Sequence, residues 1–98
     1  MKNNMRPIHP GQILRGDYLG PLNMSANALA VALRIPTPRI NDVARERRSV
    51  SPDTALRLSR FFGGDAQSWL NLQTAYDLKI AEANADLAEI VPLSEPVA

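Results

Sequence analysis

The chain of 98 residues has no cysteine and a single histidine, His9. Disulfides and thiolate metal centres are therefore excluded, and a reducing cytoplasm is allowed. No apolar run approaches the roughly 20 residues that span a bilayer, and the opening MKNNMRPIHP holds no apolar signal core. A cytoplasmic protein with no membrane partner is expected. A phosphate-cradling glycine loop is missing too, since Gly63-Gly64 has neither a strand before it nor a lysine after it. Carboxylates are scattered at helix starts, so no metal site, cofactor or catalytic residue is expected and the chain is not read as an enzyme. His9, between Pro7 and Pro10, is read as a helix cap or a solvent-facing side chain.

What is present fits one domain with a modest core, for 45% of the residues are hydrophobic. The net charge of +1 hides an uneven distribution. Residues 34–60 carry seven arginines (34, 39, 45, 47, 48, 57 and 60) against Asp42, Glu46 and Asp53, whereas residues 61–98 carry Lys79 against six acids. A basic middle and an acidic end suit a chain with one face toward phosphate and another region toward a different partner.

Proline, glycine and capping hydroxyls divide the chain into five helices. Pro10 suits a first helical turn, Ile13, Leu14, Tyr18 and Leu19 form an apolar stripe, and Gly20-Pro21-Leu22-Asn23 breaks the chain before Ser25. Ser25 caps a second helix over 26–33. Thr37 as cap and Pro38 at the first helical position start a third, running to Ala44 or Arg45. Ser51-Pro52-Asp53 starts a fourth, up to Phe62, with Ala55, Leu56, Leu58, Ser59 and one of Phe61 or Phe62 as core candidates. Gly63-Gly64 stops it. Asp65 caps the fifth, whose Trp69, Leu72, Tyr76 and Ile80 recur at spacings of three and four as packing or subunit-interface residues. That helix has the composition to continue toward Ala88, Pro92 and Pro96 forbid helix beyond, and residues 87–93 could form a short strand or a frayed tail. The division is a domain over 1–80 and a tail over 81–98 for dimerisation or partner contact.

Between residues 25 and 45 two short helices are joined by a turn, with Leu29, Ala30, Leu33, Ile35, Ile40 and Val43 where crossed helices touch. This is a helix-turn-helix pattern, and double-stranded DNA is the partner it points to. Ala30 supplies the small side chain at the crossing. Left outside are Thr37, Pro38, Arg39, Asn41, Asp42 and Arg45. Arginine binds guanine and asparagine binds adenine in a bidentate manner, so Arg39, Asn41 and Thr37 are candidate base contacts. Ser25 and Asn27 at the start of the second helix, and Arg45, Arg47 and Arg48 beyond the third, are candidate phosphate contacts. Arg57 and Arg60 read as surface or ion-pair residues. One copy covers one half-site, so a homodimer is expected.

The segments MSANALA (24–30), PRINDV (38–43), SPDTALRL (51–58), WLNLQ (69–73) and YDL (76–78), with His9-Pro10-Gly11, resemble the HigA antitoxin family. That family, also called virulence-associated protein I, lies within the Xre/Cro/CI-like helix-turn-helix repressors. The resemblance spans residues 7–80. It implies an all-α, five-helix, lambda-repressor-like domain that binds an operator at its own promoter as a homodimer. It also implies a RelE-like, mRNA-cleaving HigB-type toxin that the antitoxin neutralises by direct contact. By position, Thr37, Arg39, Asn41 and Arg45 fall where such proteins read or grip DNA.

Two positions depart from the family pattern. Arg34 and Glu46 stand where relatives usually carry glycine, so a strained or altered turn is expected at the first. Glu46, repelled by phosphate, should face away or pair with a neighbouring arginine. Rival readings are a solitary helix-turn-helix regulator without a toxin and a protein-only inhibitor that has lost DNA binding.

Overall fold

The structure, a computed structural model, describes residues 6–94. Residues 1–5 and 95–98, the outer ends of the expected domain and tail with Pro96 among them, lie outside it. Five helices and no strand are found among the described residues. The first, α1, is one continuous run: Pro10–Ile13 is α-helical, Leu14–Leu19 is π-helical, and Gly20–Leu22 closes it. Then come α2 (Ala26–Leu33), α3 (Thr37–Ala44), α4 (Pro52–Phe62) and α5 (Ala66–Asn84).

Each start is written locally. Ser25 Oγ accepts from the Ala28 amide at 3.0 Å, Ser51 Oγ from Thr54 at 3.2 Å, and Asp65 Oδ1 from Ser68 at 2.7 Å. These side chains satisfy amides that the first turn leaves without a partner. Before α3 the cap is Pro36, with no side-chain bond, and Thr37 already occupies the first helical position. The expected Thr37 cap is thus displaced by one residue. Pro36 holds the extended backbone from which a helix can begin, and Pro38, which has no N–H, needs no acceptor.

Three helices end in the same way. The amide of Met24 bonds the carbonyl of Leu19, that of Ile35 bonds Ala30, and that of Arg47 bonds Asp42, at 2.7 to 3.1 Å. Within each end a second, shorter loop forms, from Asn23 to Gly20, Arg34 to Val31 and Glu46 to Val43. This pair of hydrogen bonds is the Schellman pattern, which needs a left-handed residue. Asn23, Arg34 and Glu46 supply it, with φ of 53°, 59° and 64°. The strain expected at Arg34 is therefore present, and Glu46 shares it. α4 stops differently, at Gly63, whose amide bonds the Ser59 carbonyl at 2.8 Å and whose φ of 91° with ψ of −179° is a conformation open to glycine.

The core brings the helices to one centre. Leu14, Leu29, Ile40, Val43, Ala55 and Leu58 are fully buried, and Ala30 is the closed contact between α2 and α3. Complete burial of a leucine or isoleucine side chain contributes about 1.5–3 kcal/mol. Trp69 seals one side, with Tyr18 at 5.3 Å between ring centroids and Phe62 stacked on Tyr18 at 4.7 Å.

Several expectations are corrected. The break expected over residues 20–23 falls at its far end: the first helix passes through Gly20-Pro21 to Leu22, and left-handed Asn23 closes it. The π-helical stretch widens the preceding turn, with Gly20 N–H donating to Arg15 O five residues back, which gives the prolyl ring room. Leu56 is exposed, because the inward face of α4 runs through Thr54, Ala55 and Leu58; of the Phe61 and Phe62 alternatives it is Phe62 that packs on the core, and Phe61 is exposed. Of the stripe read as packing or subunit interface, Trp69, Leu72 and Tyr76 pack inward, while Ile80 is exposed, which is compatible with the interface alternative alone. α5 passes continuously through position 80 and stops at Asn84, short of Ala88, and residues 87–93 form no strand.

Candidate nucleic-acid interface

The helix with the candidate base contacts, α3, is fixed from three sides before any partner arrives. Its buried face, Ile40, Val43 and Ala44, rests on α2 and the core. At its C-terminal end Arg15 of α1 reaches across, donating from Nη1 to the Ala44 carbonyl and from Nη2 to Glu46 Oε2 at 2.9 Å. The guanidinium thereby satisfies a terminal carbonyl of α3 and neutralises the one acid in the arginine-rich connection. Glu46 does pair with an arginine, but with one 31 residues earlier rather than a neighbour in sequence.

The third support is His9-Pro10-Gly11. His9 is 3% exposed, its Nδ1 accepts from the Gly11 amide at 2.9 Å, and its ring meets Tyr76 edge-on at 4.8 Å. The cap expected of His9 is present, and the solvent-facing alternative is not. Gly11 lies so close to α3 that a Cβ on it would come within 1.9 Å of the Val43 carbonyl oxygen. Burial holds the His9 pKa below its ordinary 6.5, opposed by Glu46 and Asp77. The imidazole is therefore neutral near pH 7, as the acceptor role of Nδ1 requires.

With 100° between residues along a helix, Pro38, Asp42 and Arg45 face away from the core, Thr37 and Asn41 flank them toward α2, and Arg39 flanks them toward α4. Asn41 Nδ2 donates to Asn27 Oδ1 of α2 at 2.8 Å and to the Thr37 carbonyl at 3.1 Å. Ser25, Asn27, Thr37 and Asn41 therefore form one continuous polar edge. With both amide protons in use, the free groups of the pair are the Asn41 carbonyl oxygen and the Asn27 amide nitrogen.

Arg39 takes the other side. Its Nη1 donates to Asp53 Oδ2 at 2.6 Å, and Arg57 Nε donates to the same oxygen at 2.9 Å. Arg57 Nη1 also donates to the Leu33 carbonyl at the end of α2, at 2.8 Å. The two arginines hold the Asp53 carboxyl below the usual carboxylate range. Arg45, Arg47 and Arg48 are exposed in the connection after α3, and Arg48 lies 3.7 Å from Asp42. Trp69, Leu72 and Tyr76 contribute nothing to this surface; they belong to the interior of α5.

Residues not foreseen as functional are Arg15, Gly11, Asp53 and Arg57, all of which support α3 or its side chains. Composition gave no hint of them, since each acts through a partner on another helix. Among the described residues no group of histidines and acids is arranged to hold a metal, and no helix is long and apolar enough to cross a membrane.

Residues 17–69 match the helix-turn-helix family. The chain is 60% identical over 94 residues to virulence-associated protein I of Dichelobacter nodosus, covering 95% of this chain and 87% of that one. A solved structure of antitoxin GraA in complex with its operator is similar over 100% of this chain and 99% of that chain, at 48% identity and a TM-score of 0.85. The Pseudomonas aeruginosa antitoxin HigA, solved with the higBA promoter, is 44% identical over 95% of this chain and all of that chain, with a TM-score of 0.82.

Proposed function

Starting from a chain that belongs to the helix-turn-helix family and, within it, to the HigA antitoxins, we propose that it is the antitoxin and autorepressor of a toxin–antitoxin pair. It binds double-stranded operator DNA as a homodimer in the cytoplasm and neutralises a RelE-like, mRNA-cleaving HigB toxin. The observation that carries the DNA half is the single polar and cationic surface built by α2, α3 and the connection that follows. Ser25 and Asn27 at the start of α2, with Arg45, Arg47 and Arg48, grip phosphates. Thr37, Pro38, Arg39 and Asn41 face the base edges of the major groove.

The dimer and the toxin need surface elsewhere. Leu78 and Ile80 on α5 and Leu87, Ile90, Val91 and Leu93 in the extended tail are exposed, an apolar and acidic region at the far end of the chain. Apolar side chains gathered on one segment mark a contact region. Residues beyond Asn84 are assigned to it, and its acidity suits a basic ribonuclease.

A mobility-shift titration on the DNA upstream of its own reading frame, against scrambled DNA, tests the repressor half. If about four to six phosphates are neutralised per dimer, affinity falls about 100- to 1,000-fold between about 50 and 200 mM salt. Lack of selectivity at every salt concentration would remove that half. Co-purification with the product of an adjacent small reading frame tests the toxin half. A selective DNA binder with no such neighbour is a solitary regulator.

A further inference from the structure

We infer that Asp53 is a positioning residue for Arg39, holding one end of its guanidinium so that the opposite edge is presented to a guanine in the major groove. This rests on the DNA-binding role proposed above and goes beyond it, since Asp53 touches no base.

An acid beside a surface that must attract phosphate needs a reason. Helix capping is not sufficient, because Ser51 already caps α4. Asp53 instead spends one oxygen on two arginines, Arg39 at 2.6 Å and Arg57 at 2.9 Å. Arg57 is tied in turn to the Leu33 carbonyl, so the carboxylate is anchored between the end of α2 and the start of α4. Bonded through Nη1, Arg39 retains Nε–H and one Nη2–H along a single edge. Two parallel donors on one edge are what guanine O6 and N7 accept. An arginine otherwise explores many rotamers, and fixing it before the encounter removes that ordering cost from binding. The two arginines lower the Asp53 pKa, so the carboxylate that holds Arg39 is ionised at neutral pH.

The same geometry admits another role, in which Asp53 only repels phosphate and tempers affinity for all DNA. The two are separable. The wild-type protein selects a duplex from a randomised pool, and binding is then measured on that duplex, on its single-base-pair variants and on a scrambled duplex. The proteins compared are wild type, Asp53→Asn, Asp53→Glu, Arg39→Ala and the Arg39→Ala/Asp53→Asn pair, each checked for an unchanged thermal melt.

Positioning predicts that Asp53→Asn lowers the ratio of selected to scrambled affinity about tenfold, with the loss concentrated at one G·C pair. Asp53→Glu restores most of it, and in the Arg39→Ala background Asp53→Asn leaves the ratio unchanged. A ratio unchanged by Asp53→Asn while both affinities rise equally would overturn the inference. So would a fall in ratio that persists without Arg39. Failure of the wild-type protein to enrich any sequence would appear before any variant is measured, and would instead overturn the DNA-binding role itself.

Discussion

Substitution of Gly11 by alanine is the most severe single-methyl change the structure offers. The added Cβ would sit 1.9 Å from the Val43 carbonyl oxygen and 3.0 Å from its carbon. To restore even a 3.0 Å approach, α1 and α3 must separate by about 1 Å, and the obstacle is helix backbone that no rotamer change can move. Overpacking of a fitted core costs about 1–3 kcal/mol, and the rigid partner puts this case at the upper end. The intrinsic preference of a helix for alanine over glycine returns at most about 1 kcal/mol. A net loss of about 2–3 kcal/mol follows, which lowers the melting temperature of a domain this size by about 10–20 °C. Gly16 is the internal control: it lies in the same helix, and a methyl group there would meet nothing within 4 Å, so Gly16→Ala should gain about 0.4–1 kcal/mol. Urea unfolding followed by circular dichroism measures both. Gly11→Ala within about 0.5 kcal/mol of wild type would refute the reasoning, because ordinary surface substitutions stay in that range.

Arg34→Gly relieves a left-handed arginine and should raise the urea midpoint by the equivalent of about 1 kcal/mol with an unchanged slope; a lower midpoint would mean the side chain stabilises the turn. His9 is bound neutral with a lowered pKa, so its contribution to stability is complete above pH 6.5 and is lost as pH falls through the lower folded value. Wild type should therefore weaken more steeply than His9→Asn as pH falls below about 6.5, and parallel pH profiles would contradict it. Arg39→Ala should weaken binding to the selected operator by roughly 1–3 kcal/mol and blur its sequence preference, measured by mobility shift. Arg47→Ala should weaken all sequences about equally and lower the salt slope by roughly one for each phosphate it no longer neutralises; a selective loss would move Arg47 onto a base.

The starts of helices were legible because their signals are local. Ser25, Ser51 and Asp65 each close a bond to an amide three residues away, and spacing within a turn is visible in the sequence. The break over residues 20–23 was legible but its place within them was not: a proline ends a helix only when the turn before it is an ordinary α turn, and the π-helical register that carries the helix past Pro21 is not encoded in any single residue. Thr37 illustrates a tie, since two prolines bracket it and a shift of one residue leaves both at tolerated positions. Leu56 carried the right period but the wrong phase, as an amphipathic stripe broad enough to admit it leaves its margins outside the core, and period alone could not choose between Phe61 and Phe62. His9-Pro10-Gly11 was recognisable as a pattern, yet the need for glycine in it became evident only when α3 was found against its Cα.

Arginine is where sequence reasoning reaches its limit, because the same side chain serves as strut, reader or phosphate clamp according to which acid lies nearby. Seven arginines between residues 34 and 60 suggest a uniformly cationic surface. In the folded chain Arg39 and Arg57 share Asp53, Arg48 approaches Asp42, and Glu46 is claimed by Arg15 from outside the basic stretch. That last pairing matters for the site, since Glu46 stands between Arg45 and Arg47 and would otherwise cancel one of them. Neutralised from behind by α1, it leaves both free to meet phosphate. In the proposed interface Arg45 and Arg47 then carry charge that no acid of the connection cancels, while Arg39, already paired with Asp53, brings orientation more than charge. An arginine that keeps its carboxylate partner while it meets a base neutralises no phosphate and releases few counterions, which is why selectivity and salt dependence should be separable in this protein by mutating different arginines.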